Sequence, residues 1–94
     1  MKVTLEEVEQ AASAWHGGID LKRRDARPAA TAARRSAYHA ARYFGYSLSE
    51  IGRYFERDHT TIYYAMGKEV VDDELHGIVA DARLMAHKRL APRG

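Results

Sequence analysis

The row Arg57-Asp58-His59-Thr60-Thr61 sets a guanidinium, a carboxylate, an imidazole and two hydroxyls side by side, within the stretch SLSEIGRYFERDHTTIYYA from Ser47 to Ala65. Those groups can serve hydrolysis, metal ligation, the start of a solvated helix or the reading of base edges. Spacing decides among these chemistries. Consecutive side chains on a helix diverge by about 100°, so Asp58, His59 and Thr60 cannot line up as a relay of nucleophile, base and orienting acid. His16, His39, His59, His76 and His87 show no HExxH pattern and no pair at zinc-finger spacing, which leaves a zinc site without support. No cysteine and no glycine-rich phosphate loop is present. The chain is therefore expected not to be an enzyme, with no catalytic residue, no metal and no cofactor.

The elements that must position this row read as helices. Thr4-x-x-Glu7 has the form of a capping box, and Val8, Ala12 and Trp15 follow at helical spacing before Gly17-Gly18, which predicts a first helix over 5–16. Ile19 and Leu21, in the basic connector IDLKRRDAR, are expected against the core. Pro28 suits the first position of a second helix that runs to about Phe44, with Ala33, Ala37, Ala40, Ala41 and Phe44 as its apolar stripe and Gly45 as its stop. Ser47-x-x-Glu50 is a second capping box, opening a short helix with Leu48, Ile51 and Phe55 inward. Asp58 reads as the N-cap of a fourth helix reaching about Val71, with Ile62, Ala65 and Met66 inside. Asp72-Asp73-Glu74 and Lys88-Arg89 suit the two ends of a fifth helix by charge, with Ile78, Ala82 and Met85 buried and Pro92 closing it. Alternating strand patterns are missing. The expected fold is all-α, about five helices in one domain over residues 1–94, with a central helix-turn-helix made by the third and fourth.

On the fourth helix, Asp58, Ile62, Ala65 and Glu69 fall on one side, and His59, Thr60, Tyr63, Tyr64 and Gly67 broadly on the other. The outer side thus carries donors, acceptors and methyl groups, as the first turn of a recognition helix does in a major groove. Gly67 is costly inside a helix, and a close approach of backbone to phosphate would account for it. Each residue also has a plainer reading: Asp58 as a cap, the threonines as first-turn residues, the tyrosines as half-buried aromatics, His59 as a surface histidine.

Charge favours the reading of nucleic acid. The net charge is only +2, yet the 22–57 stretch holds nine basic residues, Lys22, Arg23, Arg24, Arg27, Arg34, Arg35, Arg42, Arg53 and Arg57, against Asp25, Glu50 and Glu56. All but one of the nine are arginine, the side chain suited to bidentate contact with phosphate and guanine. The acidic groups lie mostly outside the block, at Glu6, Glu7, Glu9 and 72–74, and are expected to face away from DNA or toward a protein partner. No stretch is apolar enough to span a bilayer or to act as a secretory signal, so the expected setting is the cytoplasm, at the nucleoid, without a membrane.

Ser47, Leu48, Glu50, Ile51, Gly52, Phe55, Arg57, Asp58, His59, Thr60, Thr61, Ile62 and Ala65 together resemble the signature of the C-terminal DNA-binding domain, domain IV, of the bacterial replication initiator DnaA. Asp20-Leu21 followed by Lys22-Arg23-Arg24 is similar to that family's basic loop, and nearly the whole chain can be laid on the domain. The resemblance implies a double-stranded DNA partner, base contacts from Arg57, Asp58, His59, Thr60 and Thr61, and a basic loop of Lys22, Arg23, Arg24 and Arg27 entering the minor groove. Arg34, Arg35, Ser47, Tyr63, Tyr64 and Lys68 join that loop as candidates for the DNA backbone or minor groove. Glu56 stands where the family usually has glycine, which opens the turn to a different geometry, since a Cβ disfavours φ > 0. Pro28 comes early, so either the second helix gains a turn or the loop is rearranged. The 94 residues hold no Walker motif. The expectation is a stand-alone, sequence-specific reader acting as a transcription regulator, of phage or prophage type, and a monomer rather than a dimer on DNA. The alternatives are a replication modulator that competes for or binds the initiator, and a protein-interaction module that has lost DNA binding.

Overall fold

The computed structural model describes residues 2–24 and 26–91. Five helices follow in order: α1 (Leu5–Trp15), α2 (Pro28–Tyr43), α3 (Leu48–Phe55), α4 (His59–Met66) and α5 (Asp72–Leu90). No strand occurs among the described residues, so the all-α expectation holds. The two capping boxes form as the sequence implies. The Thr4 hydroxyl accepts from Glu7 N at 3.1 Å while Thr4 N donates to Glu7 Oε1 at 2.9 Å, and Ser47 and Glu50 repeat the exchange at 3.0 and 2.9 Å. Each box satisfies two backbone donors that a helix start otherwise leaves unpaired.

The alanine stripe of α2 explains the packing. Ala33, Ala37, Ala40 and Ala41 are all fully buried, and their short side chains let α1, α4 and α5 close on α2 from different sides. Val8, Ile51, Phe55, Ile62 and Ile78 fill the space they leave, and Leu21 is pinned in the same cluster from the connector. Tyr38 and Tyr54 flank Phe55 edge-on, with ring centroids 5.4 and 5.0 Å away, the geometry aromatic quadrupoles favour. α2 begins directly at Pro28. Arg34 and Arg35 lie within the helix.

Two expectations need correction, the extent of α4 and the reading of Gly67. α4 stops at Met66, short of Val71, because Gly67 turns the chain and the Lys68 carbonyl leaves the helical ladder to accept from His39 Nε2 at 2.8 Å. Gly67 therefore sits at a helix end, where it costs little, and no phosphate is required to explain it. Trp15 is 48% exposed. Its ring lies on the face of α5 at Gly77, where an added Cβ would stand 2.4 Å from the indole. The closure of α5 by Pro92 lies outside the described residues.

α5 is fastened to the start of the chain by Arg89. Its guanidinium donates to both Glu7 carboxylate oxygens, at 3.1 and 3.2 Å, and to the Lys2 carbonyl at 2.8 Å. Glu7 is buried, and Arg89 holds its carboxyl below the usual carboxylate pKa. A folded pKa below the unfolded one gives stability that is fully present above the ordinary carboxylate range and lost as pH falls through the lowered value. Arg89→Ala should cost about 1–2 kcal/mol in urea unfolding near neutral pH, with the deficit shrinking on acidification below about pH 4. A deficit unchanged down to that pH would contradict the pair's role.

Candidate nucleic-acid interface

α3, the short turn and α4 form a helix-turn-helix whose geometry depends on Gly52. A Cβ there would stand 2.6 Å from the Arg57 carbonyl oxygen and 3.4 Å from His59 N, so α4's entry can seat on α3 only over a bare Cα. The Gly52 carbonyl in turn accepts from Arg57 N at 2.8 Å, closing the end of α3 in the manner of a Schellman motif. That closure needs a left-handed residue between them. Glu56 supplies it, at φ 55° and ψ 47°. The turn geometry that the sequence left open is thus the one a glycine would make, held by a residue with a side chain.

Asp58 then caps α4. Its Oδ1 accepts from Thr60 N at 2.7 Å, and that bond holds its carboxyl below the usual range. Ile62 is fully buried and fixes the helix rotation. His59, Thr60 and Thr61 consequently project into solvent as α4's first turn, with the His59 side chain 69% exposed. Tyr63 and Tyr64 are 63% and 70% exposed, so they are not the half-buried aromatics of the plainer reading. All five residues proposed to reach bases lie on or beside one helix start. Among them Arg57 alone is turned back, its guanidinium donating to the carbonyls of Phe55 at 3.0 Å, Glu56 at 3.3 Å and Arg23 at 3.4 Å.

The Arg23 carbonyl is a shared anchor, for Arg34 Nη1 also donates to it at 3.4 Å. Arg34 of α2 and Arg57 of the turn therefore both hold the basic loop in place. Around them runs a trough of two recesses that share Ala26, Arg34 and Arg57. One, of about 450 Å³, is walled by Arg24, Glu56 and Asp58; the other, of about 400 Å³, by Arg35, Tyr38, Thr61, Tyr64 and Lys68. Arg35 Nε is buried there without a hydrogen-bond partner, an unmet donor of the kind folded chains rarely leave. Arg23, Arg24, Arg27 and Lys68 are exposed.

Two candidates stand apart from this trough. The Lys22 ammonium lies 3.9 Å from the centroid of the Tyr54 ring, a cation–π contact that holds the loop's root on α3. The Ser47 hydroxyl is engaged in capping α3. Sequence reasoning missed His39, which fixes the end of α4, and the packing role of Gly52. An isolated glycine inside an otherwise amphipathic helix signals such close approach and was the available clue.

No alternative chemistry has a better seat. Ser36, His16 and Glu74 do meet between α2, α1 and α5, but the Ser36 hydroxyl and His16 Nε2 both bond the same Glu74 Oε1, and Ser36 is 2% exposed. In a relay the imidazole stands between hydroxyl and carboxylate, with a different nitrogen toward each; this is a buried clasp. Among the described residues no three His, Cys, Asp or Glu side chains gather as a metal site, and no helix is long and apolar enough to cross a membrane.

A family model described as the bacterial dnaA protein helix-turn-helix matches residues 18–68, just over half of the 94 residues. The chain belongs to that family, whose helix-turn-helix is a DNA-binding unit. The match covers the basic loop, α2, α3 and α4, and leaves α1 and α5 outside it. No curated protein and no solved structure gave a significant match.

Two substitutions probe the turn. Gly52→Ala should destabilise by about 1–3 kcal/mol, because the atom it meets is backbone and cannot swing aside; unchanged stability in urea unfolding would contradict the packing described. Glu56→Gly should stabilise by about 0.5–1 kcal/mol, since relief of the left-handed strain exceeds the added freedom of the unfolded chain. A loss of stability would show that Glu56 is not strained there.

Proposed function

We propose that this chain binds double-stranded DNA sequence-specifically, with the first turn of α4 in the major groove and the basic loop toward the adjacent minor groove, and that it regulates transcription by occupying its site. The observation that carries this reading is the coincidence, on one surface, of a solvent-projecting helix start with the trough of Arg24, Arg34, Arg35, Arg57 and Lys68. His59 offers hydrogen bonds to a purine N7 or thymine O4, Thr60 and Thr61 offer methyls to thymine, and Asp58 can accept from a cytosine amino group. Arg57 is released to a base or phosphate once its carbonyl bonds are exchanged for the bidentate contact that its fork makes with a phosphate or a guanine edge. The sugar-phosphate ridge between the two grooves falls over the trough. The reading assigns no catalytic role to any residue, and a single copy of the motif suits a monomer on an asymmetric site.

Selection from a random duplex library, followed by titration of the enriched and a scrambled duplex at two salt concentrations, tests this directly. Affinity should fall steeply with salt, with a slope of about −0.9 per phosphate contact. His59→Ala or Thr60→Ala should each cost about 1–3 kcal/mol of preference at one base position. Arg23→Ala leaves its carbonyl anchor in place and should weaken binding to all sequences alike. Unaltered preference after the His59/Thr60 double change would remove α4 as the reading element, and salt-independent weak association would favour a protein-interaction module.

A further inference from the structure

We propose that Glu56 is a specificity-determining residue, a carboxylate set in the wall of the basic trough that penalises phosphate and is tolerated only where a base amino group faces it. The inference rests on the DNA-binding orientation proposed above.

Two independent features single the residue out. Its backbone is left-handed, at φ 55° and ψ 47°, and it is the one described residue other than glycine with positive φ. That conformation is strained for a residue with a Cβ, so the turn alone is better served by glycine. Second, the exposed side chain lines the 450 Å³ recess together with Arg24, Arg34, Arg57 and Asp58. In the proposed orientation this recess lies between the minor-groove loop and the major-groove helix, where a phosphate strand must pass. A carboxylate is the least suitable group for a surface whose only task is to hold phosphate.

Its presence makes sense if discrimination is the task. Binding to arbitrary sequence relies almost wholly on phosphate contacts, and a fixed negative charge in the trough opposes them in every register. Glu56 stands two residues before Asp58, the cap of the helix start that enters the major groove. In the cognate register an exocyclic amino group, on cytosine or adenine, can donate to its carboxylate and offset the repulsion. Discrimination then comes from a repulsive element that the correct sequence alone compensates.

Glu56→Gln keeps the shape and the left-handed backbone while removing the charge; Glu56→Gly removes both charge and strain. The 94-residue chain and both variants are titrated against the wild-type-enriched duplex and a scrambled one, and library selection is repeated with each variant, after circular dichroism shows the helix content intact. Glu56→Gln should tighten scrambled-duplex binding about three- to tenfold, as expected for one charge near a phosphate across a partly aqueous gap. The enriched duplex should gain less than about twofold, and preference should relax at one base position, where the amide oxygen accepts from the amino group more weakly than the carboxylate does. Glu56→Gly should share that loss of discrimination. Equal gains on both duplexes with an unchanged enriched sequence would reduce Glu56 to plain repulsion and overturn the proposal. So would no change at all, or a change with Gly but not with Gln, which would assign the effect to the turn. A wild-type chain that enriches no sequence would sink the parent reading and this inference with it; an enriched sequence with equal gains sinks only the role of Glu56.

Discussion

The interface depends on one close approach, that of the Arg57 carbonyl and the His59 backbone to the bare Cα of Gly52. It sets how near α4 sits to α3, and the burial of Ile62 and the cap by Asp58 then fix α4's rotation and start. Which side chains face outward is a consequence. With α4 farther out or turned by one residue, His59 and Thr60 would no longer share a solvent face, because side-chain direction changes by about 100° per position.

The rest of the molecule serves to hold that approach in place. α2 contributes its alanine stripe to the core and, on its other side, Arg34 to the basic loop and His39 to the end of α4. The two ends of the recognition helix are thus tied to different structures, the first to α3 through Gly52 and the last to α2 through His39. α1 and α5, which lie outside the family match, pack on α2 and on each other and are locked by the Glu7–Arg89 pair and the clasp of Ser36, His16 and Glu74. Positive charge gathers on the face bearing the helix start, and the carboxylates of Glu7, buried, and Glu74, partly buried, are spent in holding helices together.

Much of this was legible in the residues. Helix starts were readable because capping is local: Thr4 with Glu7, Ser47 with Glu50 and Asp58 with Thr60 need no tertiary information. Helix ends were less so. The end of α4 depends on a bond from His39, twenty-nine residues away in the chain, and the exposure of Trp15 depends on a glycine in α5. The outward face of α4 followed from periodicity, and the composition of the trough from the arginine block. What pattern could not supply was the internal use of charged groups, such as the fold-back of Arg57 on three carbonyls and the stacking of Lys22 on Tyr54. The stacking and the bond to the Arg23 carbonyl join elements distant in sequence, and the bonds to Phe55 and Glu56 require the left-handed turn between them. The conformation of Glu56 was likewise hidden, since local preference opposes it and the Gly52 closure overrides that preference.

The central claim is that α4's first turn occupies a major groove while the basic loop lies toward the neighbouring minor groove. Methylation protection with dimethyl sulfate on an enriched duplex separates the two surfaces, since guanine reacts at N7 in the major groove and adenine at N3 in the minor. The account predicts protected guanine N7 positions over a short run, flanked on one side by protected adenine N3 positions. Protection confined to N3, or strong binding with every N7 still reactive, would contradict it.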